Sequence, residues 1–200
     1  MNSSKNLVLL LLGLFIFGCH SDDSKNTYTI KGKVGNGYAI FDPFMTDSLL
    51  TAKYITRVNL ISGDQIIAST TDDEFEFTNL EEGKSYMVVP QSIKKGFMGT
   101  TAIDFVIIRK FTEGIDELNT WQKKMAADVN LDNHINQADL ELVYDCLLNT
   151  PCTATSFRFV TDNFDGNGVG FIDQFLIPNL NANTEVNFLP IALGDVNRSF

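Results

Sequence analysis

The spacing of apolar residues changes once along the 200-residue chain, and this change limits the fold more than any other feature. Between Thr27 and Pro90, short runs alternate apolar with polar residues and are separated by turns, which is typical of strands. From Gly99 the apolar residues recur at helical spacing. The sequence therefore predicts an α+β protein of several domains, with a small antiparallel β-sandwich followed by a mostly α-helical part and a turn-rich C-terminal extension.

The helical part begins with a recognisable start signal. Thr101 can cap a helix, and Asp104 stands three residues further on, which is a variant of the capping box. Gly114 is the expected end of this helix. The apolar residues predicted to line its buried face are Ile103, Val106, Ile107 and Phe111.

Residues 1–19 have the pattern of an export signal and are excluded from the fold. Lys5 precedes an apolar run over residues 7–17, which is shorter than the roughly 20 residues of a membrane-spanning helix. The run ends in Ile-Phe-Gly-Cys at residues 16–19, which resembles the lipobox of bacterial lipoproteins. That resemblance implies acylation of Cys19 and a lipid anchor to the membrane, with ordinary signal cleavage and release as the alternative.

Residues 20–27 follow the cysteine as a polar, acidic tether. The tether resembles the segment found after the acylated cysteine in lipoproteins that some Gram-negative bacteria display on their outer surface. This resemblance implies a location at the outer membrane or cell surface. A solvated linker with no targeting role is the alternative reading.

The charge and the histidine count exclude two broad classes of function. The chain has 25 acidic and 15 basic residues, a net charge of −10, whereas nucleic acid is gripped by patches of Lys and Arg. Its two histidines are His20 and His134, and no nucleophile motif or phosphate-binding loop is present. We therefore expect a non-catalytic protein that does not bind nucleic acid. The acidic balance is compatible with cation binding.

The segment from Asp128 to Asp139 has the spacing of a twelve-residue calcium loop. Asp128, Asn130 and Asp132 hold positions one, three and five, where side-chain oxygens converge on the ion. His134 at position seven would offer its backbone carbonyl, and Asp139 at position twelve would close the site. Because Ca²⁺ is a hard cation that takes six to eight oxygen ligands, this pattern predicts one calcium site.

Two further positions of the loop bear on that prediction. Ile135 at position eight is expected to point into the core, as the apolar residue there does in such loops. Asn133 stands at position six, where glycine usually makes the sharp turn, and asparagine tolerates the left-handed conformation better than most residues. The alternative is an Asx-rich helix cap that binds no metal.

The surroundings of the loop resemble a dockerin, a module built from two calcium loops each followed by a helix. Residues 126–143 are similar to the core of one dockerin repeat, and residues 99–110 to the helix of its companion. The companion loop lacks ligands, because Ile93, Lys95 and Phe97 stand where its first ones would be. The chain also has Gly-Asp-Val-Asn at residues 194–197, as do the dockerin-like tails of large cell-surface and adhesin-like proteins.

This resemblance implies that residues 93–200 form a dockerin-like module with one calcium ion. It implies contact with a cohesin-like domain or another cell-surface protein, in an assembly linked to polysaccharide utilisation. Residues 69–90 resemble the carboxypeptidase-regulatory-like, transthyretin-type sandwich, so residues 28–92 are assigned to that domain. Binding of a glycan, or adhesion through the sandwich, is the alternative function.

Two smaller features leave alternatives open. Cys146 and Cys152 could form a disulfide at a helix end, since an exported protein meets an oxidising compartment, or remain two buried thiols. Asn163, Asp165 and Asn167 alternate like calcium ligands but lack the closing carboxylate. We interpret this second acidic cluster as a turn, with a weak metal site as the alternative.

Overall fold

The computed structural model describes residues 25–35, 56–93, 95–149, 151–166 and 173–197. The predicted export signal and the lipidation site at Cys19 lie outside these ranges. In the described ranges, no helix is both long and apolar enough to cross a bilayer. The strands are β1 (Thr27–Lys33), β2 (Thr56–Ser62), β3 (Gln65–Thr70), β4 (Glu74–Glu81), β5 (Tyr86–Ser92), β6 (Phe157–Thr161), β7 (Phe175–Ile177), β8 (Thr184–Glu185) and β9 (Phe188–Ala192). The helices are α1 (Ala102–Thr112), α2 (Trp121–Ala127) and α3 (Gln137–Leu148).

The strands form three sheets, with orders β4-β1-β8, β3-β2-β5-β7 and β6-β9. The five strands predicted between Thr27 and Pro90 are present, and the alternating pattern of β4 buries Phe75 and Phe77 between exposed acids. The first two sheets contribute side chains to one hydrophobic core, an arrangement compatible with the predicted sandwich.

Strands from the C-terminal half complete the first two sheets. β7 pairs antiparallel with β5, and Tyr86 lies opposite Ile177. β8 pairs parallel with β1, and Ile30 lies opposite Thr184. Hydrogen-bonded pairs therefore cross the predicted domain boundary between residues 92 and 93.

The prediction of a mostly α-helical C-terminal half built as a dockerin helix pair is wrong. Strands hold 37% and helices 21% of the described residues, so the protein is predominantly β. The reason lies in the segment after α3, which supplies β6, β7, β8 and β9. These strands are two to five residues long, too short to show a period, and pairing with distant strands decides their structure.

The β6-β9 ribbon separates two hydrophobic cores and lines both of them. Phe159 and Phe188 belong to the core of the two large sheets. Their strand neighbours Val160 and Leu189 belong to a second core, formed with the three helices. Successive side chains of a strand point to opposite faces, so a ribbon buried on both sides serves both cores.

The buried face of α1 matches the predicted one in part, since Ile107 and Phe111 pack against the second core. Ile103 and Val106 are exposed, whereas Asp104 and Ile108 are fully buried. The predicted capping box at Thr101 and Asp104 is confirmed. The capping box explains why the helix is rotated relative to the prediction. The Asp104 carboxylate lies inward with its hydrogen-bond donors, so the side of the helix opposite Asp104 faces solvent.

Candidate calcium site

The segment between α2 and α3 folds as a tight loop that two buried carboxylates hold together. α2 ends at Ala127, and Asp128 is its C-terminal cap. α3 begins at Gln137 with Asn136 as N-cap, whose side chain accepts from the backbone N–H of Ala138 at 2.8 Å. Asp128 and Asp139 are both 0% exposed, so each needs polar partners inside the protein.

The Asp128 carboxylate accepts hydrogen bonds from the loop that follows it. Its Oδ1 accepts from the backbone N–H of Asp132 at 3.1 Å. Its Oδ2 accepts from the backbone N–H of Asn133 at 3.1 Å. The Asn130 side-chain oxygen also accepts from the Asp132 backbone, at 2.9 Å. The chain therefore winds around the side chain at position one of the predicted loop.

The Asp139 carboxylate joins both ends of the loop. Its Oδ1 accepts from the backbone N–H groups of Val129 at 2.9 Å and Asn130 at 3.2 Å, and its Oδ2 accepts from Asn136 at 2.9 Å. Burial raises the pKa of the Asp139 carboxyl, these backbone hydrogen bonds oppose the rise, and the nearby Asp128 charge adds to it. Position twelve thus closes the loop as a structural acceptor, besides being the predicted ligand.

The backbone turns through the left-handed region at positions four and six. Leu131 and Asn133 both have φ of 65°, and they are two of the three non-glycine residues with positive φ in the described ranges. For an L-residue this conformation costs about 1–2 kcal/mol, less for asparagine, whose short side chain bonds locally. The predicted left-handed turn at Asn133 is confirmed. Strain of this kind collects at ligand-binding turns as well as at tight turns in general.

The remaining predicted ligands are exposed or partly exposed. Asp132 Oδ1 accepts from the backbone N–H of His134 at 2.8 Å, and its Oδ2 accepts from Asn130 Nδ2 at 3.0 Å. The His134 ring is exposed, with Nδ1 2.9 Å from the Asp132 carbonyl oxygen, so it lies outside the loop. Ile135 packs against the second core, which confirms its predicted direction.

The side-chain atoms that the loop offers and the path of its backbone are of the type found in calcium loops. Asp128, Asn130, Asp132 and Asp139 offer oxygen, which a hard cation requires. Across the described ranges, however, no group of three His, Cys, Asp or Glu side chains is arranged to hold a metal ion. The loop carboxylates instead accept hydrogen bonds from the backbone N–H groups described above. Calcium binding therefore stays a prediction for these residues.

A buried arginine that sequence reasoning missed lies against the loop. Arg158 Nη1 lies 2.9 Å from Asp128 Oδ2, and the two side chains are 1% and 0% exposed. Arg158 Nε and Nη2 donate to the two carboxylate oxygens of Asp173 at 3.2 and 3.1 Å. The only sequence signal was a charge between two phenylalanines of an apolar strand, Phe157 and Phe159.

A second arrangement of the same kind lies at the start of α1, where the sequence predicted the capping box of Thr101 and Asp104 but not its contact with residues 195–197. Asp104 Oδ2 accepts from the backbone N–H of the N-cap Thr101 at 2.9 Å, as Asp139 does from Asn136. Asp104 Oδ1 accepts from the backbone N–H of Asn197 at 2.9 Å. The tripeptide Asp195-Val196-Asn197 therefore stands against Asp104 as Asp128-Val129-Asn130 stands against Asp139. Its signal was the repeated tripeptide, Asp-Val-Asn, at both places.

The two smaller predictions have different outcomes. Cys146 and Cys152 form a disulfide with Cα atoms 4.8 Å apart, which ties the end of α3 to the segment after it. Residues 162 and 163 form a turn after β6, as interpreted for the second acidic cluster. Asn167 lies outside the described residues, so the weak-site alternative at Asn163, Asp165 and Asn167 is untested.

A groove of about 360 Å³ runs between α1 and α3 beside the loop. The rings of Phe105 and Tyr144 meet across it with centroids 5.9 Å apart. An ion pair between Arg109 Nε and Glu113 Oε1, at 2.8 Å, lies along one side. Exposed apolar side chains of the two helices are Ile103, Val106, Tyr144, Leu147 and Leu148.

Comparison with protein-family models, with curated proteins and with solved structures finds no match to this chain.

Proposed function

We propose that this chain is a non-catalytic, lipid-anchored surface protein in which calcium, bound by the loop from Asp128 to Asp139, stabilises a surface that contacts another protein. The loop is of the dockerin type by its sequence, and it is seated in a predominantly β fold. Lipidation at Cys19 belongs to the proposal and is tested by mass spectrometry of the mature N-terminus.

The path of the loop backbone is the observation that supports this proposal most. A contiguous loop with oxygen donors at positions one, three, five and twelve also has left-handed turns at positions four and six. A plain helix cap needs one acceptor at the helix start and no such turns. The two strained residues raise the free energy of the folded loop, and an ion at its centre would offset that cost.

Calcium would act on stability, since the loop joins the end of α2 to the start of α3. An ion that binds only the folded state stabilises it by about 2.7 kcal/mol when its concentration is one hundred times Kd. Both helices pack on the second core, so the gain would extend to the whole helical layer. The loop thus supplies the rigidity that a contact surface needs.

The groove between α1 and α3, together with the exposed apolar side chains of these two helices, is the surface that fits the proposed contact. It combines an aromatic pair, an ion pair and exposed aliphatic side chains on two helices. Aromatic residues and arginine are enriched in protein interfaces. The partner class in this proposal is a cell-surface protein.

Calorimetric titration of residues 20–200 with calcium tests the proposal. We expect one site, and a melting temperature that falls when the ion is chelated. Replacing both Asp128 and Asp132 with alanine should abolish the heat of binding. Asp165→Ala, which removes a carboxylate of the second acidic cluster, is the matched control and should leave binding unchanged. Absence of heat and of any effect of chelation would refute calcium binding.

A further inference from the structure

Arg158 is a buried cation placed directly behind the first ligand position of the loop. Its side chain is 1% exposed, and in β6 it stands between Phe157 and Phe159, whose side chains line the core of the large sheets. A buried guanidinium is costly unless its N–H groups have charged partners. Asp128 and Asp173 supply those partners through three N–O contacts of 2.9 to 3.2 Å.

The two carboxylates differ in the number of hydrogen bonds that they accept from the arginine and in their exposure to solvent. Asp173 takes two N–H groups, on Nε and Nη2, in the bidentate geometry that suits a carboxylate. It is partly open to solvent, with its side chain 38% exposed. Asp128 takes one N–H group and is fully buried, so water contributes nothing to its solvation. Arg158 is therefore the one charged group in the described hydrogen-bond network that stabilises the Asp128 carboxylate.

We infer that Arg158 is an internal counter-ion for Asp128 that holds the loop folded without calcium and limits how tightly calcium binds. The second part deepens the proposed calcium function and rests on it. A calcium ion at the loop would share the Asp128 carboxylate with the guanidinium. Two cations on one carboxylate repel each other, strongly so in a buried setting. Arg158 thus sets the affinity of the site although it is no ligand.

Asp173 modulates this effect, so the inference predicts changes in calcium affinity of opposite sign for the two residues. Its bidentate pair neutralises part of the arginine charge that the ion would experience. Removing the Asp173 charge should increase the repulsion and weaken calcium binding, whereas removing the Arg158 charge should strengthen it. A merely structural role for the cluster would weaken binding in both variants, because either change loosens the support of Asp128.

The experiment compares Arg158→Met, Asp173→Asn and the control Arg57→Met by calcium titration calorimetry. Arg57→Met removes the same charge from an exposed arginine of β2. We expect Arg158→Met to raise the calcium affinity at least tenfold and Asp173→Asn to lower it several-fold. Arg57→Met should stay within twofold of the parent protein. An Arg158→Met variant that folds and binds calcium no more tightly overturns the affinity role.

The counter-ion role is tested without calcium, by a double-mutant cycle of Arg158→Met and Asp128→Asn in excess chelator. Arg158→Met should lower the melting temperature much more in the parent protein than in the Asp128→Asn background, where no buried charge needs a partner. Equal losses in both backgrounds overturn the counter-ion role. Coupling in the cycle with no calcium binding by any variant would refute the proposed function and leave the counter-ion role intact.

If Arg158→Met does not fold in chelator, added calcium should restore the folded circular-dichroism spectrum, because the ion replaces the missing positive charge. Failure of calcium to restore it, together with an unchanged affinity in Asp173→Asn, would overturn the inference.

Discussion

The molecule has two Asp-Val-Asn tripeptides, and each lies against a buried aspartate at the third position of a helix. Around Asp139 the tripeptide belongs to the same loop as the aspartate, and Val129 and Asp139 are 10 residues apart. Around Asp104 the tripeptide comes from the end of the described chain, and Asn197 and Asp104 are 93 residues apart. The middle valines, Val129 and Val196, are both buried in the second core.

The hydrogen bonds of the two arrangements are alike, but the charges around them differ. Asp139 stands in a contiguous loop with Asp128 and Asp132, with Arg158 behind it. Asp104 lies where sequence register would place a companion loop, and Lys95 and Phe97 occupy that segment instead. Phe97 packs on the second core, and Lys95 forms an isolated bridge with Thr155. The same hydrogen-bond frame therefore forms both with and without a preceding segment of oxygen-bearing side chains.

The largest expected difference between the two arrangements is in how calcium changes the stability of Asp139→Ala and of Asp104→Ala. Each change removes the acceptor of three buried or partly buried donors and should cost about 3 kcal/mol in chelator. In calcium at one hundred times Kd, Asp139→Ala should cost about 2.7 kcal/mol more, and Asp104→Ala should cost the same as before. Urea unfolding with and without the ion measures both. An equal calcium dependence would show that both arrangements bind the ion.

A smaller effect is expected at Gly194, which leads into the second tripeptide. Its φ is 81°, and a Cβ there would lie 2.6 Å from Thr100 Oγ1. Gly194→Ala should destabilise the protein by about 2 kcal/mol, from backbone strain and the close contact together. Gly114→Ala is the matched control, because its φ is 70° and no atom lies within 4 Å of its Cβ position. We expect about 1 kcal/mol there, by thermal unfolding, and equal losses would contradict the contact.

The smallest effect is expected at position six of the first arrangement. Asn133→Gly relieves the left-handed strain and should stabilise the protein by about 0.5 kcal/mol, with a slight gain in calcium affinity. Asn149→Gly is the control, since Asn149 has φ of −113° and gains nothing from glycine. Thermal unfolding and calcium titration of both variants check this. Stabilisation by Asn149→Gly as well would show that the effect is not one of backbone conformation.

Sequence reasoning succeeded where the deciding contacts are local. β1 to β5 follow from alternation and turns within each segment, and the capping box of Thr101 and Asp104 follows from a spacing of three residues. The left-handed turn at Asn133 follows from the loop register. All three depend on neighbours in the chain, so a pattern in the sequence contains the information.

It failed where partners are distant. The ion pair of Arg158 with Asp128 spans 30 residues, and no sequence pattern near either residue predicts the other as its partner. β7 and β8 hold three and two residues, and their structure comes from pairing with β5 and β1. The rotation of α1 follows from the inward position of Asp104, where the amphipathic pattern alone favoured Ile103 and Val106.

The β6-β9 ribbon has a consequence for how the protein comes apart. Phe159 and Val160 are neighbours, yet one is buried with the large sheets and the other with the helices. If either the large sheets or the helices unfolded, one face of the ribbon would be exposed to water. The packing of its other face against the remaining layer would then be weaker. The protein should therefore melt in a single cooperative transition, and a cut between residues 92 and 93 would leave two fragments that each lack part of their interior.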